Sequence, residues 1–178
     1  MDDGFLAITS LSRAMGGRAQ LPDVGSMLWV ILRQIVPCDA MVLFLPDAGR
    51  EHVVAGYAAG AHAARLRGLM PPAASGIAGW AAMHRRSVLN AEPVFDLGFR
   101  ASAPALRSSV VVPLVDNGAV AAVLALYSKD LLAFTEEHVS LLELLGPRLA
   151  VALAGAAVVP EELPAAAIRL RLVTPFNT

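Results

Sequence analysis

The stretch RSSVVVPLVDNGAVAAVLALYSKD, residues 107–130, decides how this chain is read. Two apolar runs flank Asn117-Gly118. That dipeptide between strand-like runs predicts a tight hairpin, because both turn residues must take positive φ. The strands are expected at 108–115 and 119–127. SGIAGWAAMHRRSVLN (75–90) precedes the hairpin, and a long amphipathic segment, FTEEHVSLLELLGPRLAVALAGA (134–156), follows it.

Upstream, Phe5, Ile8, Leu11 and Met15 fall near helical spacing, which predicts a short helix over 3–15 ended by Gly16-Gly17. A second helix restarts at Pro22-Asp23, with Val24, Met27, Leu28, Ile31, Leu32 and Ile35 on one broad face. Asp23 is its expected N-cap, and Pro37 marks its end. CDAMVLFL (38–45), held between Pro37 and Pro46, reads as a central strand, and 52–57 returns as its hairpin partner. Residues 61–69 form a short Ala-rich helix, 75–86 a helix opened by Ser75-Gly76, and 87–90 a short strand. Residues 92–106, with Pro93, Gly98 and Pro104, read as a loop long enough to be a lid.

The last helix spans 134–156, with Thr135 as N-cap and Glu136 and Glu137 in the first turn, where the helix dipole favours acids. Pro147 inside it predicts a local kink. Its apolar residues are too many for one face, which predicts packing on a sheet and on a partner helix. The expected dimer interface comprises Phe5, Ile8, Leu142, Leu149 and Leu153. The chain divides into 1–19, an N-terminal helix with a dimer contact; 20–157, one folded domain; and 158–178, a linker followed by the strand-like run IRLRLV (168–173).

With 178 residues the chain has room for one well-buried domain and a short extension. It is 56% hydrophobic, yet no run of about 18 uninterrupted apolar residues suggests a membrane span. The first residues are acidic where a secretory leader is basic, so a cytoplasmic location and no membrane partner are expected. A net charge of −1 argues against nucleic acid as a partner, since nucleic-acid-binding modules concentrate basic charge. One cysteine, Cys38, excludes an intrachain disulfide framework and a Cys-rich zinc site.

Four stretches in this order, VPCDAMVLFL (36–45), SGIAGWAAMHRRSVLNAE (75–92), RSSVVVPLVDNGAVAAVLALYS (107–128) and the 134–156 segment, resemble the GAF domain family. The resemblance covers about residues 20–157. It departs where the family often has glycine early in the second hairpin strand and this chain has Ala121-Ala122. It implies an α+β fold: an antiparallel sheet of about six strands with helices on both faces, a PAS-like sandwich. The long helices pack on one face, and the short helices and the 92–106 loop enclose a pocket on the other.

The residues narrow the chemistry that the resemblance offers. The Asn-Lys-Phe-Asp-Glu constellation of cyclic-nucleotide-binding members cannot be placed, since Lys129 is the only lysine. Cys38 lies on the first predicted strand, away from where bilin-binding members need a cysteine, and reads as a small buried hydrophobe. The methionine-sulfoxide-reducing branch needs several cysteines, so no enzymatic activity is expected. His62 and His84 lie on the expected pocket side, but lone helical histidines favour surface roles over haem ligation. No His/Asp/Glu cluster has metal-ligand spacing. Ser108 and Ser109 lack a G-x-S-x-G elbow and read as edge-strand serines, while Glu92 and Asp96 sit on the loop without an acid–base argument.

The expected ligand-binding residues are Tyr57, Trp80, His84, Arg100 and Ser109, over a floor of Phe44 and Val111. Arg100 would meet an anionic group. Two functions stay open. One is a sensory domain that binds an unidentified small molecule, its cofactor unknown, and passes the change through its terminal helices in a homodimer to an output domain or a partner kinase or regulator. The other is a ligand-free structural dimerisation or protein-interaction module.

Overall fold

A computed structural model describes residues 20–47, 52–71, 74, 76–97 and 105–154. The elements in chain order are α1 (Leu21–Ile35), β1 (Ala40–Pro46), β2 (Val53–Gly60), α2 (Ala63–Leu66), α3 (Ile77–His84), β3 (Val88–Ala91), α4 (Val94–Leu97), β4 (Ser108–Asp116), β5 (Ala119–Ser128) and α5 (Glu136–Ala154). The five strands make one antiparallel sheet in the order β2-β1-β5-β4-β3. About six were expected; five lie among the described residues, and the strand-like run at 168–173 falls outside them. The helix expected over 3–15 also lies outside them.

The opening hairpin forms as its turn chemistry requires. Asn117 and Gly118 take φ of 47° and 79°, and β4 pairs with β5 along its whole length. Strand alternation then sorts the core into two layers. Met41, Leu43, Val110, Val112, Leu114, Ala122, Leu124 and Leu126 face α1 and α5. Ala40, Val42, Phe44, Val111, Val123, Ala125 and Tyr127 face α2, α3 and α4 on the other side. Both layers are buried, and each fully buried Leu or Phe contributes about 1.5–3 kcal/mol of transfer free energy.

α1 starts earlier than expected. Gln20 holds the N-cap position without a side-chain bond, and Pro22 sits in the first turn, where its missing N–H costs nothing. Asp23 therefore lies inside the first turn and acts on the dipole instead of capping. At α5, Thr135 caps as expected: the His138 amide donates to Thr135 Oγ1 (3.4 Å), and the Thr135 amide donates to His138 Nδ1 (3.1 Å). His138 thus takes the reciprocal role that Glu or Gln fills in a capping box. Helix α5 runs through the exposed Pro147.

The dimer contact drawn on Leu142, Leu149 and Leu153 is corrected. All three are buried in their own chain's core, against the sheet and α1. The side of α5 left in solvent carries Leu144 (76% exposed) and Val151 (51%). The sequence shows two apolar sides but not which one the sheet takes. Phe5 and Ile8 lie outside the described residues.

Candidate functional site

The second face of the sheet is where the resemblance puts a pocket. Its strand residues are mostly small, with Phe44 and Tyr127 as the large exceptions. Helix α3 approaches closely because Ala78, Gly79 and Ala81 form its buried side. Leu66 of α2, Leu97 of α4 and Leu106 complete the cover. Phe44 and Val111 lie on this face, both fully buried. Ser109 shares the face, and its Oγ donates to the Ala91 carbonyl (3.0 Å). β4 lies between β5 and β3, so Ser108 and Ser109 are interior and not edge serines. Ser108 Oγ donates to the Asp130 carbonyl (2.7 Å).

Four of the residues expected on this face lie elsewhere or outside the described residues. Tyr57 is on the opposite face, beneath α1, where its hydroxyl and that of Ser26 are 3.1 Å apart. Simple alternation from Val53 and Ala55 would put Tyr57 with them. A register shift between Leu43 and Phe44 leaves Gly56 as the extra residue of β2, so Tyr57 pairs with Leu43 and its side chain flips. Trp80 and His84 lie on the solvent side of α3, stacked with ring centroids 4.4 Å apart, and His84 Nδ1 donates to the Trp80 carbonyl (2.9 Å). Arg100 lies outside the described residues.

The group that does occupy the site is one the sequence reading left on a loop. Asp96 is 4% exposed and belongs to α4. Its Oδ1 accepts the Ala78 amide (2.9 Å), and the Ile77 amide also bonds it. Tyr127, at the centre of the sheet, donates its hydroxyl to Oδ2 over a long 3.4 Å. The carboxylate thus closes the N-terminus of α3, where N–H groups have no partner within the helix. Burial raises the Asp96 pKa, opposed by the Ala78, Ile77 and Tyr127 hydrogen bonds. Burial, then the neighbouring carboxylate, pushes Tyr127 well above the usual phenol range. In the sequence, Pro93 followed by Val94, Phe95, Asp96 and Leu97 suits a short helical turn, but nothing local marks Asp96 as its buried member.

Cys38 precedes β1 and is half-buried. Burial, then the adjacent Asp39, pushes its thiol up to about 11, against a smaller opposing effect of Arg33. Among the described residues no group of His, Cys, Asp and Glu could hold a metal ion. No described helix is long and apolar enough to cross a membrane.

The sequence matches the family model of the GAF domain over residues 22–154, most of the chain and all of the sheet just described. The chain belongs to the GAF domain family. Solved structures agree in fold. The GAF domain of an Acinetobacter phosphoenolpyruvate-protein phosphotransferase is 16% identical with a TM-score of 0.64, covering 85% of this chain and 91% of its own. Free methionine-R-sulfoxide reductase from Neisseria meningitidis is 20% identical with a TM-score of 0.66, covering 85% and 87%. The GAF-B domain of DevS from Mycobacterium smegmatis is 19% identical with a TM-score of 0.55, covering 94% and 96%. Among curated proteins no relative matches. At these identities the neighbours share the GAF fold with this chain, and the fold carries both regulatory and enzymatic members.

Proposed function

We propose that this GAF domain is a non-enzymatic sensory module whose responsive part is the α2–α4 cover on the second face of the sheet. The observation that carries the reading is Asp96. A carboxylate at 4% exposure, held among the described residues by two amides and a phenol, is costly to bury, and such groups cluster at functional sites. It holds the cover in one arrangement through a few polar contacts. A small molecule entering beneath the cover would compete for those contacts and shift the population of cover positions. The single half-buried cysteine supports the non-enzymatic part of the reading, since thiol-based sulfoxide reduction ends in a disulfide. The test is thermal unfolding of the chain with a panel of nucleotides, amino acids and carboxylic metabolites. A compound that raises Tm in a concentration-dependent way supports the reading, because ligands selective for the native state stabilise it. If no compound shifts Tm, the ligand-free reading gains.

The second reading, a homodimerisation module, is favoured by exposed apolar residues on the long helices. Val30 of α1 and Leu144 and Val151 of α5 are all more than half exposed. A dimer through these two helices would bury them and join the ends that lead to an output domain. The two readings are compatible, and light scattering tests the dimer on its own.

A further inference from the structure

We propose that β3 is a mechanical relay between the cover and helix α5, which lie on opposite faces of the sheet. β3 is only four residues long and, among the described residues, forms an edge of the sheet. Its ladder with β4 slips between Leu89 and Ala91, so Asn90 is left out of the pairing. Asn90 takes a positive φ of 52°, a conformation asparagine tolerates better than most side chains. The freed side chain grips the backbone at the start of α5. Asn90 Nδ2 donates to the Phe134 carbonyl (2.7 Å), and the Phe134 amide donates to Asn90 Oδ1 (3.1 Å). Phe134 is itself buried and immediately precedes the Thr135 cap, so the clamp fixes where α5 begins.

A second attachment lies further along the helix. Ser87 Oγ, just before β3, donates to Glu143 Oε1 (2.7 Å). The Thr135 cap and Glu143 are separated by about 12 Å at 1.5 Å of rise per residue. Two separated attachments constrain the direction of a helix as well as its position. The same segment is continuous with the cover at both ends: α3 runs into Ser87, and Ala91 leads through Pro93 into α4. Asp96 then closes the segment on itself by bonding the Ala78 amide of α3. The stretch from Ala78 to Asp96 is therefore a closed loop, latched on the cover face and gripping α5 from its middle. A shift of α4 that breaks the latch frees the ends of β3 and loosens both attachments. The hydrogen-bonded sheet itself lies between the two faces.

This goes beyond the sensory reading and needs no ligand, so its failure leaves that reading to the ligand panel. The test is native-state hydrogen exchange on the whole chain, in the wild-type, Asp96→Asn, Ser87→Ala/Asn90→Ala and triple-variant proteins. Amides of residues 139–145 are read relative to those of β1 and β5. Asp96→Asn is expected to accelerate the 139–145 amides at least threefold over the strand amides in the wild-type background, and to add nothing in the Ser87→Ala/Asn90→Ala background. No selective acceleration of α5, or the same acceleration in both backgrounds, overturns the relay. Uniform acceleration of strands and helix overturns it too, since that reads global stability and not a route. Should the double variant fold poorly, Ser87→Ala alone carries the test, with its own loss of the Asp96→Asn effect expected at residues 141–145.

Discussion

Gly25 of α1 lies directly on the ring of Tyr57. A Cβ at position 25 would sit 2.5 Å from Cγ and Cδ1 and 2.8 Å from Cδ2 of that ring. The helix can approach this closely only without a side chain there. Gly146 of α5 is the contrasting case, since a Cβ there would meet only Leu114 at 3.8 Å. Gly25→Ala is expected to destabilise the domain by about 1–3 kcal/mol, because overpacking outweighs the gain in helix propensity. Gly146→Ala is expected to stabilise it by up to about 1 kcal/mol. Urea unfolding of the two variants checks both signs, and equal effects would show that α1 can lift off Tyr57 at little cost.

Asp96 gives the domain a pH signature of unusual sign for a carboxylate. Its folded-state pKa is raised from 3.8, so between 3.8 and that raised value the native state holds a proton the unfolded chain has released. Stability from this group is therefore full below pH 3.8 and lost as pH rises through the folded value. Wild-type protein is expected to gain stability relative to Asp96→Asn as pH falls from 7 toward 4. Urea unfolding of both proteins across that range tests this, and a pH-independent difference contradicts it. Asp39 works the other way. Burial raises its pKa, but hydrogen bonds from Lys129 and Ser128 and the Lys129 charge bring the net value below 3.8. What it contributes is present above pH 3.8 and lost as pH falls through its folded value.

A dimer on the long helices makes a prediction that separates two leucines of α5. Leu144→Asp should leave the fold intact and shift a dimer to monomer, because position 144 is in solvent. Leu149→Asp should unfold the chain, because it places a charge in the core. Light scattering with circular dichroism distinguishes the outcomes. A Leu144→Asp protein that keeps its oligomeric size removes the proposed interface.

Cys38 is expected to be a poor nucleophile. Raising a thiol from 9.0 to about 11 lowers the thiolate fraction at pH 8 by about a hundredfold. Reaction with a disulfide reagent at pH 8 should be correspondingly slower than for a small free thiol. A rate matching that of glutathione would reopen thiol chemistry at this position.

What the sequence made legible depended on local chemistry. Asn117-Gly118 specifies its own turn, and the valine-rich runs beside it specify their own faces. The helix bounds were legible to within a few residues because Pro22, Thr135 and their neighbours act locally. Tyr57 was placed on the wrong face because one bulge at Gly56 reverses every later side chain, and no local pattern announces it. Trp80 was expected to line the pocket, yet α3 meets the sheet through its smallest residues, Ala78, Gly79 and Ala81, and Trp80 is turned outward. Asp96 was missed because its partners, Ala78 and Tyr127, come from distant elements.

The position of β5 has a consequence for how the chain is made. β1 finds its inner neighbour only in β5, where Ala40 pairs with Tyr127. A nascent chain emerging from a ribosome can therefore form the β1–β2 hairpin early, but it exposes the inner edge of β1 until residues 119–128 arrive. Non-local pairing of this kind slows folding, and an unpaired apolar edge invites association meanwhile. Chains that end before residue 119 should aggregate or be degraded, and a stall in synthesis just upstream of β5 is where this domain is most in need of a chaperone.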